Sequence, residues 1–160
     1  MRQLLIMRHA QAQIEKLSPS DRERPITMAG MHEIESIRSQ IQGHLSNINL
    51  VLCSNARRTR QTLEGIRPLL PANVTIMYDD DMYHCSANVL WRKIVDVDPT
   101  FKAILIIGHN PGITQFIKDI NPPTHLVHEF PTCGVAIFEV KEKWRSITST
   151  DMNLTRFLRP

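Results

Sequence analysis

The sequence predicts an α/β fold, a three-layer α/β/α sandwich with a mainly parallel central sheet. Short apolar runs that suit buried strands alternate along the chain with segments whose apolar residues recur every three or four positions, as in helices that cover a sheet. The chain has 160 residues, 42% hydrophobic and 22% charged, which is typical of a globular protein and excludes a disordered or fibrous one. We therefore expect one domain over residues 1–160.

Five runs rich in Ile, Leu and Val predict strands in a sheet covered on both faces. The first run ends at Arg8 and is too short for the core of a secretion signal, and no run approaches the length of a membrane span. The runs cover residues 4–7, 50–53, 74–77, 103–107 and 135–140.

Four segments between these runs predict helices. Thr27 is a suitable N-cap for the first helix, whose apolar stripe begins at Met31 and continues to Ile41, and Gly43 is its predicted end. The second helix should stop where Pro68 follows it, because proline cannot continue a helix. The remaining three helices are predicted over residues 54–67, 88–95 and 112–118.

Charge and cysteine content limit the partners and the compartment. The net charge is only +3, too small to indicate a nucleic-acid partner. The three cysteines form no Cys-x-x-Cys pair, which predicts free thiols in the cytoplasm. His125, His128 and Cys133 offer three ligands where a structural zinc site needs four, so we expect no metal and no organic cofactor.

Polar residues that suit phosphate chemistry follow three of the predicted strands. Arg8 and His9 follow the first, the segment 54–62 with three arginines follows the second, and His109 follows the fourth. The carboxyl ends of parallel strands meet at one edge of a sheet, where ligands bind. Arginine matches phosphate oxygens, one histidine can attack phosphorus, and a second, protonated histidine can stabilise the developing charge. The residues therefore predict a phosphoryl site.

Four motifs in order resemble the histidine phosphatase superfamily, which has the phosphoglycerate-mutase-like fold. They are Ile6-Met7-Arg8-His9-Ala10, Arg24-Pro25-Ile26-Thr27 followed by Gly30, the segment 54–62 from Ser54 to Thr62, and the segment 108–112 from Gly108 to Gly112. The likeness spans nearly the whole chain and is greatest to the short SixA-type phosphohistidine phosphatases.

The resemblance implies a role for five residues. His9 would be the catalytic nucleophile that forms a phosphohistidine intermediate, and His109 would be the second catalytic histidine. Arg8 and Arg58 would bind phosphate, and Arg24 is a further candidate phosphate ligand.

The chain departs from the family pattern in two places. Ala10 stands where the family has a glycine, and it fits if its φ is negative. Larger members carry a Glu or Asp general acid on an excursion after the third strand, whereas residues 78–104 here suffice for one turn and one helix. Asp21 and the run 79–81 are weak candidates for that acid, because such a run more often forms a solvated turn. The acid therefore stays unassigned.

A site without a lid predicts the substrate class. An open groove admits a side chain of another protein, and the imidazole leaving group of phosphohistidine needs less proton donation than an alkoxide. We therefore expect a metal-independent phosphatase that acts on a phosphorylated histidine-containing protein, either a phosphotransfer domain or a carrier. Two alternatives stay open, a phosphatase for small phosphomonoesters and a non-catalytic module that binds a phosphorylated ligand.

Overall fold

A six-stranded, mainly parallel sheet forms the centre of the molecule. The computed structural model describes residues 1–120 and 128–160. The strand order is β3-β2-β4-β1-β5-β6; the first four strands in the chain run parallel, and β5 runs antiparallel to both of its neighbours. The strands are β1 (Arg2–Arg8), β2 (Leu50–Ser54), β3 (Thr75–Asp79), β4 (Ala103–Gly108), β5 (Val135–Val140) and β6 (Met152–Leu158).

Helices cover both faces of this sheet, which confirms the predicted three-layer sandwich. Ile37 of α1 and Leu63 of α2 pack in one core with Leu5. Ile94 of α3 and Phe116 of α4 pack in the other core, on the opposite face. The helices are α1 (Met28–Leu45), α2 (Arg57–Ile66), α3 (Ala87–Val95) and α4 (Gly112–Ile120).

The first helix begins as predicted but ends later. The Oγ1 atom of Thr27 accepts a hydrogen bond from the backbone N–H of Gly30 at 3.0 Å, which confirms the N-cap. The predicted end at Gly43 is wrong, because the helix continues to Leu45 with no left-handed backbone at the glycine. The prediction that Met31 lies on the buried stripe is also wrong, since this residue is 59% exposed.

The two edge strands depart from the sequence prediction. β3 lies at the edge of the sheet and Met77 in it is exposed, so its apolar run does not mark a strand covered on both faces. β6 was not predicted. A bulge opposite Ile137 and Phe138 gives it one extra residue, and this breaks the alternation that identifies a strand in a sequence.

No helix within residues 1–120 and 128–160 is both long and apolar enough to span a lipid bilayer. In the same part of the chain, no three His, Cys, Asp or Glu side chains are grouped so that they could hold a metal ion. His125, considered above as a zinc ligand, lies outside the described residues.

Candidate active site

The register of two parallel strands brings His9 and His109 together. Arg8 at the end of β1 pairs with Gly108 at the end of β4, so the residue after each strand lies beside the other. The backbone N–H of His9 donates to the carbonyl of Gly108 at 3.1 Å, and the two imidazole centroids are 5.3 Å apart. His9 is 7% exposed and His109 3%, so the pair lies just under the surface at the carboxyl edge of the sheet.

The ring of His9 is neutral and leaves one of its nitrogens unprotonated. Its Nδ1 atom lies 2.7 Å from the carbonyl oxygen of Ala10, and because a carbonyl only accepts, Nδ1 carries the proton. The Nε2 atom therefore keeps its lone pair. Burial lowers the pKa of His9 to about 3, and the charges of Arg58 and Arg8 act in the same direction, so the ring is neutral at physiological pH.

Hydrogen bonds fix the backbone that follows His9. The N–H of Ala10 donates to Oγ1 of Thr62 at 3.0 Å, and the same hydroxyl donates to the carbonyl of Arg58 at 2.7 Å. The carbonyl of His9 accepts from the N–H of Cys133 at 3.1 Å. Ala10 is fully buried and its φ is not positive, so alanine fits where the family has glycine.

His109 has a buried ring nitrogen, Nδ1, without a hydrogen-bond partner among the described residues. Its Nε2 atom lies 2.7 Å from the hydroxyl of Ser54 at the end of β2. When that hydroxyl donates, the proton of the ring is on Nδ1, which is buried and has no partner among the described residues. Burial lowers the pKa of His109 to about 2, reinforced by the neighbouring His9 and Arg58. An anion bound here would offset these effects and favour the protonated ring.

Arg58 is the buried cation of the site. It is the second residue of α2 and is 1% exposed, whereas Arg57 and Arg60 on the same helix are exposed. The Nη1 atom donates to the backbone carbonyl of Asp21 at 2.8 Å, and Nη2 lies 3.1 Å from Oδ2 of the same residue. Its Nε is buried without a partner in residues 1–120 and 128–160.

Arg8 and Arg24 hold different positions. The Nη1 atom of Arg8 donates to the carbonyl of Phe130 at 2.8 Å, and its buried Nε has no partner in the described part of the chain. Arg24 donates to the carbonyl of Gln13 at 2.5 Å and pairs with Oδ1 of Asp21 at 2.8 Å. The charge of Arg24 contributes to the lowered pKa of His9.

Three residues form a second part of the site that the sequence did not identify as a unit. Asp21, Tyr83 and His84 come together because Oδ2 of Asp21 accepts from the hydroxyl of Tyr83 and lies 2.8 Å from Nε2 of His84. The ring centroid of His84 lies 5.0 Å from that of His109, and the centroid of Tyr83 lies 5.5 Å from it. The one available signal was that residues 83–84 follow closely on the third strand.

Asp21 is held ionised, which argues against its role as a proton donor. Burial opposes ionisation, but hydrogen bonds from Tyr83, Arg24 and His84 outweigh it and hold the pKa of Asp21 well below its usual range. The other candidates contact different groups: Asp79 and Asp81 pair with Lys93, and Asp80 pairs with Arg22 and Asn55.

The connection between β3 and α3, which brings Tyr83 and His84 to the site, is short. Between β3 and α3 it makes a single 3₁₀ turn, Asp80–Met82, so the expected absence of a long excursion between these elements is confirmed. α4 packs tightly on this connection, because a Cβ atom on Gly112 would lie 2.2 Å from the carbonyl oxygen of Cys85. The start of α4 thereby holds His84 close to His109.

Comparisons with known proteins support the fold. A structure described as a candidate phosphohistidine phosphatase SixA from Nakamurella multipartitia superposes with a TM-score of 0.85 at 24% identity, over 99% of this chain and 96% of that chain. A structure of the protein histidine phosphatase SixA complexed with tungstate gives a TM-score of 0.80 at 22% identity, over 98% and 96%.

The chain is also similar in sequence to known proteins. An uncharacterised protein of Mycobacterium tuberculosis strain H37Rv is 26% identical over 149 residues, which are 88% of this chain and 91% of that protein. No family model matches the chain. The structures show that the chain has the fold of the SixA-type histidine phosphatases, so the predicted resemblance is confirmed for the fold.

Proposed function

We propose that the protein is a metal-independent phosphohistidine phosphatase in which His9 carries the phosphoryl group as a covalent intermediate. The observation that carries the proposal is the state of His9, a neutral imidazole whose Nδ1 is tied to a backbone carbonyl and whose Nε2 is a free base. This is the form in which an imidazole attacks phosphorus. Its position beside a second histidine and a buried arginine supplies the remaining requirement, positive charge for the phosphoryl oxygens.

Unpaired donors around His9 support phosphate binding. The Nε atoms of Arg8 and Arg58 and the Nδ1 of His109 are buried, and none has a hydrogen-bond partner in the described residues. Buried donors are costly to leave unpaired, and phosphoryl oxygens would satisfy them. Arg24 contacts Asp21, which in turn contacts Arg58. The positive charge of Arg24 contributes to the lowered pKa of His9.

The reaction proceeds in two in-line displacements. The Nε2 atom of His9 attacks phosphorus and the leaving group departs with its bonding electrons. Water then attacks the phosphoryl group on His9, and inorganic phosphate is released. Arg8, Arg58 and a protonated His109 stabilise the charge on the equatorial oxygens in both steps.

The short connection over the site favours a phosphohistidine presented by another protein. The segment between Asp79 and Ala87 forms no long excursion over the carboxyl edge of the sheet, and this short connection favours a substrate presented by a folded partner. Imidazole is a far better leaving group than an alkoxide. The neighbours named as SixA phosphatases support the same substrate class, and the partner we propose is a phosphotransfer domain or a phosphorylated carrier protein.

The proposed compartment is the cytoplasm. Cys53, Cys85 and Cys133 are all free, and Cys53 and Cys133 are buried with a pKa raised by burial to about 12 in each. Unreactive free thiols suit a reducing compartment.

The experiment that tests the function is a phosphate-release assay. Purified protein is given a phosphohistidine carrier, phosphoserine and phosphotyrosine peptides, and an aryl phosphate, with His9→Ala as the control. We expect preference for the carrier, an acid-labile phosphoenzyme trapped in the wild type, and a loss of about 10⁴-fold or more with no phosphoenzyme in the variant. His9 follows a strand, so His9→Ala should retain the wild-type thermal midpoint.

The other outcomes separate the alternatives. Preference for an ester would keep the nucleophile and replace the substrate with a small phosphomonoester. Binding of the phosphorylated carrier without phosphate release or labelling would make the protein a binding module. Turnover by His9→Ala at the wild-type rate would refute the mechanism.

A further inference from the structure

We propose that His84 donates the proton to the leaving group and then accepts a proton from the attacking water. This inference rests on the proposed function and assigns the acid and base of the same reaction. The observations that carry it are the position of His84 at the edge of the site and its contact with an ionised carboxylate.

The position of His84 suits a group that meets the departing part of the substrate. Its ring lies 5.0 Å from that of His109 and edge-on to Tyr83 at 4.4 Å. Its side chain is 45% exposed, whereas His9 and His109 are nearly buried, so His84 lies between the buried phosphoryl site and solvent. A leaving group attached to a phosphoryl group on His9 would extend toward this opening.

The backbone of His84 indicates that its position is constrained. Its φ is 48°, a left-handed conformation that residues other than glycine rarely adopt. The packing of Gly112 against the carbonyl of Cys85 and the hydrogen bond from Tyr83 to Asp21 hold the connection in place. Such conformations cluster at active sites, where the surrounding structure maintains them.

The charged groups around His84 define which nitrogen exchanges the proton. Asp21, on the segment before Arg24, accepts from Nε2 at 2.8 Å, so Nε2 keeps its proton and Nδ1 gains and loses one. The guanidinium of Arg58 on α2 also faces this contact, because its Nη2 atom lies 3.2 Å from Nε2 of His84 and 3.1 Å from Oδ2 of Asp21.

The proton balance closes over the two steps. In the first, Nε2 of His9 forms a bond to phosphorus, the bond from phosphorus to the leaving nitrogen breaks, and that nitrogen takes the proton from Nδ1 of His84. In the second, the water oxygen bonds to phosphorus, the water proton passes to Nδ1 of His84, and phosphate leaves His9. The imidazolium of His84 is thereby restored.

The test measures how the rate depends on the leaving group. Wild type and His84→Asn are compared on aryl phosphates whose phenols span a wide range of acidity, with kcat/KM as the readout because it reports phosphoryl transfer to His9. Asparagine tolerates the left-handed backbone. We expect a loss of about 10²-fold for the most basic phenol and less than about 3-fold for the most acidic one. The plot of log kcat/KM against phenol pKa should be steeper for the variant.

Control variants make each outcome decisive. His84→Gln should give the same steep plot, and His32→Gln, on the exposed face of α1, should follow the wild type. An equal loss across the series, or no loss, would overturn the assignment of His84 while leaving the His9 mechanism intact. A wild type that releases phosphate from neither the aryl phosphates nor the phosphohistidine carrier, or a fully active His9→Ala, would overturn the proposed function and with it the role of His84.

Discussion

The candidate site has two halves that are built differently. The strand-end half consists of Ser54, His9 and His109, which stand at or directly after the ends of β2, β1 and β4. The loop half consists of Asp21, Tyr83 and His84, which are joined by their side chains. Sheet register positions the first half, and hydrogen bonds between segments far apart in the chain position the second. The strand-end half is therefore the part that a sequence reveals most directly.

Arg58 connects the two halves, and its removal should have the largest effect in this comparison. It lies near the N-terminus of α2, beside His109, and its guanidinium pairs with Asp21. Arg58→Ala should lower kcat/KM for the preferred phosphoprotein by about 10²- to 10³-fold, because a buried, preorganised cation is lost from the transition state. Steady-state phosphate release measures the effect.

The neighbouring Arg57→Ala is the matched control, since Arg57 is exposed on the same helix. We expect its kcat/KM to stay within about 2-fold of the wild type. If both substitutions had the same small effect, Arg58 would belong to a solvated helix face, and its contact with Asp21 would not contribute to catalysis.

A glycine substitution tests how tightly the two halves are coupled. Gly112→Ala places a Cβ atom against the carbonyl of Cys85, so we expect about 1–3 kcal/mol of destabilisation, together with lower activity because the connection that carries His84 must move. Gly43→Ala in α1 meets nothing within 4 Å and should stabilise by about 0.5–1 kcal/mol.

Denaturant unfolding measures both free energies, and phosphate release shows whether activity changes with them. A stable and fully active Gly112→Ala would show that the loop half adjusts freely to the strand-end half.

The smallest effect concerns the pH dependence of stability in the strand-end half. The pKa of folded His109 is lowered to about 2 by burial, whereas an unfolded histidine titrates near about 6.5. Below that value the unfolded chain takes up a proton that the folded chain does not, so the free energy of unfolding falls as pH falls. His109→Gln should reduce this slope by about 1 kcal/mol per pH unit between about pH 6 and 4.

Unfolding in denaturant at several pH values, with the wild type in parallel, checks this slope. An unchanged slope would mean that His109 is solvated enough to be protonated in the folded protein.

The fold could be predicted where the local pattern and the packing agree. The strand at 103–107 is buried along its whole length, so its apolar run was sufficient evidence. β6 gave no such signal because its bulge interrupts the alternation and several of its residues are exposed. Met31 has the spacing of a core residue but lies at the exposed margin of the stripe on α1.

The candidate site could likewise be predicted only in part. His9 and His109 are identified by their positions after strands, and the rigid register makes that position equivalent to contact. No sequence pattern identifies His84 as a residue of the site. Its position depends on a turn, on its own left-handed backbone and on a contact with Asp21, which is far away in the sequence. Side-chain contacts between loops follow from the finished tertiary structure and have no periodic signature.

The pairing of β1 with β4 has a further consequence for how the protein acquires activity. β1 is the first strand and β4 follows three of the four helices, so the pairing that joins His9 to His109 closes a long loop of chain. Contacts of high sequence separation form late, because loop closure costs entropy before the contact is made. A refolding chain should regain helical circular dichroism before it regains phosphate release, and catalysis would then report completion of the sheet.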